Sequence, residues 1–129
     1  MGVVAEPGPR RGDVFLVSLD PTRGQEIRKT RPCLVVSPDE LNAHMGTFIV
    51  APMTTGAHPY PFRVPCDFDG KSGHVVIDQL RTVDRSRMVK QRGSLDEATM
   101  EQVLDILQAM FDRSPPPGAG AAFEGADQL

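Results

Sequence analysis

Several groups in this 129-residue chain are of types that do chemistry on phosphate. Arg31 precedes a proline at the head of an apolar run, Thr54 and Thr55 form a hydroxyl pair, and Glu26 sits in a charged, glycine-containing loop. Asp78 and Gln79 follow Val75, Val76 and Ile77. A guanidinium at the mouth of a buried strand offers several N–H donors and a full charge in a fixed fork, which suits an oxyanion. Cleaving RNA by attack of its own 2′-hydroxyl needs a proton acceptor, positive charge against the phosphorane oxygens and a proton for the departing 5′-oxygen. It needs no metal. Arg31 can supply the charge, and because the leaving alkoxide is more basic than a guanidinium of pKa above about 12, it can also supply the proton. Removing a well-placed donor of this kind costs on the order of 10² to 10³ in rate. Thr54 Oγ can hydrogen-bond the scissile phosphate, and Glu26 can act as base or hold Arg31 in place.

Each of these residues also has a structural reading. Arg31 can bridge to a structural carboxylate, the threonines can bond back to their own turn, and Glu26 alone is a surface charge. Asp78 differs, because an acid behind three apolar residues sits where strands exclude carboxylates and needs a partner such as an arginine or a hydroxyl. Aromatics that stack RNA bases are scarce: no Trp, one Tyr and six Phe. His58 and Tyr60 are the stacking candidates. Phe62 opens a strand and reads as core. Arg23, Arg81, Arg85 and Arg87 are candidates for phosphate contacts. Phosphate-loop, dinucleotide, zinc-hydrolase and nucleophile-elbow motifs are all missing, and His44, His58 and His74 are scattered without ligand spacing, so no metal or cofactor is expected.

The elements that must position these groups are short and strand-like. Apolar runs cover residues 14–19, 33–37, 47–52, 62–65, 75–83 and, more weakly, 88–91. Separated by Gly, Pro and Asp turns, they predict a mainly β protein, a small barrel or coiled antiparallel sheet. Residues 37–42 place a Ser cap, a first-turn proline and two acids in helix-start order, so a short helix is expected after the second strand. Ser94 to Glu97 reads as a capping box, followed by Met100, Val103, Leu104, Leu107 and Phe111 on one helical face. This predicts a helix over about 96–112, packed on the sheet, with Asp105 and Gln108 toward solvent.

The chain is long enough for one domain with a real core. Cys33 and Cys66 lack metal-type spacing and read as buried thiols of a reduced compartment. The N-terminus lacks a signal-type apolar stretch and no run is long enough to span a bilayer, so a cytoplasmic protein is expected. The net charge of −3 is uneven: residues 1–93 hold 13 Lys+Arg against 10 Asp+Glu, and residues 94–129 hold 1 against 7. That asymmetry permits a cationic groove on the body but not strong binding to long duplexes. Residues 1–10 and 114–129, rich in Pro, Gly and Ala, are expected to be disordered tails around a domain at 11–113.

Three segments, at residues 12–42, 51–62 and 73–88, resemble in order and spacing the signatures of the MazF/PemK family of toxin endoribonucleases. The first holds a D-P-T-x-G-x-E run followed by x-R-P. The likeness spans roughly residues 11–112. It implies an SH3-like β-barrel of the CcdB/PemK type with a C-terminal helix. It further implies a homodimeric, sequence-specific, metal-independent mRNA interferase that cuts single-stranded RNA to a 2′,3′-cyclic phosphate and a 5′-hydroxyl. A cognate antitoxin would fill the RNA groove with an acidic segment. The resemblance assigns cleavage to Arg31, Thr54 and Glu26. RNA contacts are expected from Arg23, Thr55, His58, Asp78, Gln79, Arg81 and Arg85. One departure matters: the arginine described as an acid in the PemK branch falls on Val76, so that role does not transfer, and Asp78 with Gln79 is assigned to RNA binding or to orienting the loop. The alternatives are a CcdB-like gyrase poison and an RNA-binding regulator that has lost cleavage.

Overall fold

The computed structural model describes residues 8–56 and 60–113. Seven strands and two helices follow in the order β1 Asp13–Ser18, β2 Thr30–Val35, α1 Asp39–His44, β3 Thr47–Thr55, β4 Arg63–Phe68, β5 Lys71–Val76, β6 Arg81–Asp84, β7 Met88–Ser94 and α2 Glu97–Met110. All pairings are antiparallel, in the order β4-β5-β3-β2-β1-β7, with β6 also on β3. The expected mainly β fold with two helices is the fold observed. The sheet curls like a barrel without closing its hydrogen-bond ladder. Its outer strands meet through side chains instead: Arg92 of β7 pairs with Asp69 beyond β4 at 3.0 Å, and a Cβ on Gly93 would touch the Phe68 ring at 3.4 Å.

Strand alternation sorts the apolar residues onto two faces. Leu34 of β2 and Ala51 and Met53 of β3 join Val14, Val64, Val75 and Ile77 in a core closed by Val103 of α2. Cys33, Val35, Phe48 and Val50 point the other way, into a second core with Val17, Leu19 and Val83. A fully buried Val or Leu of this kind contributes on the order of 1.5–3 kcal/mol. β3 is the spine. One of its edges pairs with β2, and the other takes β6 along residues 47–50 and β5 along residues 53–55. The expected single strand at 75–83 is therefore two strands, joined by a 3-10 turn, Ile77–Gln79, where the chain passes from one partner position on β3 to the next.

Other expectations are corrected in detail. Phe62 is 40% exposed with φ 63, outside β4, so it is neither a strand residue nor core. Ser37 does not cap α1; its buried hydroxyl donates to Asn42 Oδ1 at 2.5 Å and accepts from Ile49 N, tying the helix to β3. β7 runs through Ser94, so the cap of α2 is Asp96, whose carboxylate accepts from Thr99 N and Oγ1 at 3.0 and 2.7 Å. Along α2, Met100, Val103, Ile106, Leu107 and Met110 pack on the sheet, whereas Phe111 lies beyond the last turn and is 72% exposed. Asp105 and Gln108 face solvent as expected. Cys33 and Cys66 are buried and free. Residues 1–7 and 114–129 of the expected tails lie outside the described residues; Arg10, at the start of the described chain, pairs with Asp39 of α1 at 2.9 Å.

Candidate active site

Arg31 and Thr54 come together. They line one cleft of about 290 Å³, just beyond the point where the β2–β3 ladder ends at Cys33 and Pro52. The Arg31 Nε donates to the Arg28 carbonyl at 2.9 Å, which fixes the guanidinium and leaves both Nη groups without a partner among the described residues. Both side chains are partly exposed, so substrate can reach them. Lys71 and Arg92 line the same cleft, facing the single acid Asp69. These two cations were missed by sequence reasoning, since nothing local marks them. Arg92 is brought in by a bulge at which the β1 register passes from Gly93 to Gln91.

Glu26 lies elsewhere. It lines a neighbouring cleft of about 510 Å³ with Pro52, Asp78, Gln79 and Arg81, and its Oε1 accepts from Arg23 N at 2.5 Å. Pro52 is two residues before Thr54, so the two regions lie along one face of β3. Gln79 clamps the loop on both sides of Glu26, its Oε1 accepting from Ile27 N at 2.7 Å and its Nε2 donating to the Gln25 carbonyl at 3.2 Å. Arg81 donates to the Leu19 carbonyl at 3.0 Å, and Arg87 donates to the carbonyls of Ser18 and Asp20. Gln79 and Arg81 thus orient the loop that leads to Arg31.

Asp78 finds the partner its position demanded, although in the 3-10 turn and exposed. Arg63 Nε and Nη2 meet its two carboxylate oxygens at 3.2 and 3.4 Å, and the same guanidinium lies over the Tyr60 ring at 4.9 Å. Arg85 rests over the Phe48 ring at 5.3 Å, away from both clefts, and Arg23 is exposed on the loop. Thr55 lines the cleft with Thr54, and His58 lies outside the described residues.

Electrostatics tie Arg31 and Arg81 together. Burial pushes the Cys33 thiol up to about 12, and the guanidinium groups of Arg81 and then Arg31 oppose that rise, so both cations lie within reach of one buried sulfur. Cys66 is also raised, first by burial and then by Asp67 and Asp96. Neither thiol is a nucleophile at neutral pH. Among the described residues no three of His, Cys, Asp and Glu gather as a metal-ion site.

A coiled antiparallel sheet that brings an arginine and a threonine into one basic cleft defines a small-barrel protein suited to an anion. The chain belongs to the PemK-like, MazF-like toxin family of type II toxin–antitoxin systems, whose pattern it matches over residues 10–111. Among curated relatives it is 39% identical over 107 residues to the endoribonuclease PemK of Escherichia coli, covering 78% of this chain and 80% of that protein. Among solved structures it is similar to MazF from Deinococcus radiodurans, with a TM-score of 0.72, 31% identity and coverage of 80% of this chain and 96% of that one. A MazE–MazF complex from the same organism aligns with a TM-score of 0.68 at 28% identity, covering 83% and 98% of the two chains. No helix among the described residues is long and apolar enough to cross a membrane.

Proposed function

We propose that this protein is a toxin endoribonuclease that cuts single-stranded RNA at a preferred sequence without a metal ion, leaving a 2′,3′-cyclic phosphate and a 5′-hydroxyl. The observation that carries the reading is the Arg31 guanidinium, anchored through Nε with its Nη donors open, in one cleft with Thr54. In this role Arg31 neutralises the phosphorane oxygens and protonates the 5′-oxygen, while Thr54 Oγ holds the scissile phosphate. Glu26 shapes the loop ending at Arg31 by accepting from Arg23 N. The second cleft, walled by Asp78, Gln79 and Arg81, takes flanking nucleotides, with Thr55 of the first cleft, His58 and the loop residue Arg23 as further RNA contacts, while Arg85, which lies away from both clefts, is left out of the site. Relatives named MazF crystallise with MazE, which supports a cognate antitoxin as partner. The protein works in the cytoplasm as a homodimer.

The test is a defined RNA incubated with the purified protein, with and without EDTA, beside Arg31→Ala. Cleavage persists under chelation, its 5′ ends carry hydroxyls, and the variant is slower by about 10²-fold or more. Cleavage that requires added Mg²⁺, or that Arg31→Ala leaves intact, overturns the mechanism.

A further inference from the structure

We infer that His74, which lacked any motif in the sequence, is the general base of this site, an inference that rests on the nuclease reading above. β5 pairs with β3 so that His74 stands directly opposite Thr54. Residues directly opposite in an antiparallel pair project from the same face with Cβ atoms roughly 4.5–5.5 Å apart. Thr54 in turn lines one cleft with Arg31 of β2. Arg31, Thr54 and His74 therefore sit on three neighbouring strands, β2, β3 and β5, with all three side chains partly exposed.

The imidazole is also held in one tautomer. His74 Nδ1 lies 2.9 Å from the Gly56 carbonyl, which can only accept, so Nδ1 carries the hydrogen and the Nε2 lone pair is left to take a proton. Nε2 has no partner among the described residues. Its cleft, of about 760 Å³, shares Cys66, Ser72 and Gly73 with the Arg31 cleft. The other titratable groups around it are Cys66 and Asp67 of β4 and Asp96 ahead of α2. Glu26, the other candidate base, spends a carboxylate oxygen on the Arg23 N–H and lines the cleft on the far side of Pro52.

The step balances as a proton-neutral transesterification. His74 Nε2 takes the 2′-hydroxyl proton as the 2′-oxygen bonds to phosphorus. The bond from phosphorus to the 5′-oxygen breaks, and that oxygen takes a proton from Arg31. The imidazolium then returns its proton to the guanidinium through water.

The experiment compares wild type, His74→Ala and His74→Gln on the RNA that wild type cleaves. It measures single-turnover rate, affinity for a 2′-deoxy analogue of the cleavage site, thermal midpoint, and rescue by free imidazole. The expected result is a rate loss of about 10²-fold or more in both variants, unchanged affinity for the uncleavable analogue, and partial recovery of His74→Ala with imidazole. Gln can still donate to Gly56 but cannot accept the proton, so a fully active His74→Gln overturns the inference, as does a His74→Ala defect that imidazole does not relieve. A wild-type protein that leaves every RNA in a mixed pool intact instead defeats the nuclease reading itself, which separates the two failures.

Discussion

Gly73 is where the fold is most sensitive at the site. A Cβ there would lie 1.9 Å from the Thr54 carbonyl oxygen, 2.9 Å from its carbon and 3.2 Å from Thr55 Cα, all backbone that no rotamer change can move. Ordinary contact begins near 3.4 Å, so Gly73→Ala forces β3 and β5 apart by roughly 1.5 Å at this point. The ladder between them holds three residue pairs, and Thr55–Gly73 is the last, so its end yields before the core does. Overpacking costs about 1–3 kcal/mol, and with the strain released at a ladder end the lower part of that range applies. For a domain of about a hundred residues this lowers the midpoint of unfolding by roughly 4–8 °C. Activity suffers more, because a displacement of about 1 Å at reacting groups costs on the order of 10²-fold in rate, and here Thr54 moves relative to Arg31 and His74. The assay pairs calorimetry with single-turnover RNA cleavage and uses Gln108→Ala as control, since Gln108 faces solvent on α2, away from the clefts. A Gly73→Ala protein that melts and cleaves like wild type refutes the close approach and the argument built on it.

Two further outcomes follow from other parts of the structure. Gln79→Leu removes both bonds to the loop, each worth about 1 kcal/mol, so trypsin should cut at Arg23 or Arg28 roughly thirty-fold faster with little change in thermal midpoint; unaltered digestion shows that the loop is held by something else. Asp96 has its carboxyl held below the ordinary 3.8 by the Thr99 hydroxyl and then the Thr99 N–H. A lowered native pKa stabilises the fold above the unfolded value, and that stabilisation is lost as pH falls through the native one. Asp96→Ala should therefore melt below wild type at pH 7, with the gap narrowing once pH drops under 3.8; a gap that stays constant with pH contradicts the cap.

The strands were legible because half-buried runs alternate, and α2 because its apolar residues recur at helical spacing. Where reading failed, the cause was non-local or one of competing local signals. Residues 75–83 look like one strand, and only the exchange of partners along β3 shows that the chain must turn at Asp78. Ser94 reads as the cap, yet β1 keeps it in its ladder opposite Asp13, so the capping falls to Asp96. Phe62 reads as core, yet its left-handed backbone places it in the turn before β4. Arg31 and Thr54 could be named from residue type and resemblance. His74 could not, because its place opposite Thr54 depends on the β3–β5 register, a pairing of strands distant in sequence.

The placement of the site follows from how β3 is held. Both edges of that strand are occupied, by β2 along residues 50–52 on one side and by β6 and then β5 on the other, so Thr54, paired with His74, is fixed before any substrate arrives. The loop bearing Arg23 and Glu26 has no strand partner of its own. Its backbone is instead bonded by Gln79, Arg81 and Arg87, which flank or belong to β6. Because β6 is paired to the first half of β3 and the Thr54–His74 pair lies on the second half, loop and site share one reference strand. A substitution that loosens β6 from β3 should then misalign the loop against the Thr54–His74 pair while leaving the α2 side of the core intact. Geometry of this kind costs little reorganisation when charge develops, and preorganised donors aimed at developing charge are usually the largest single contribution to an enzyme's rate.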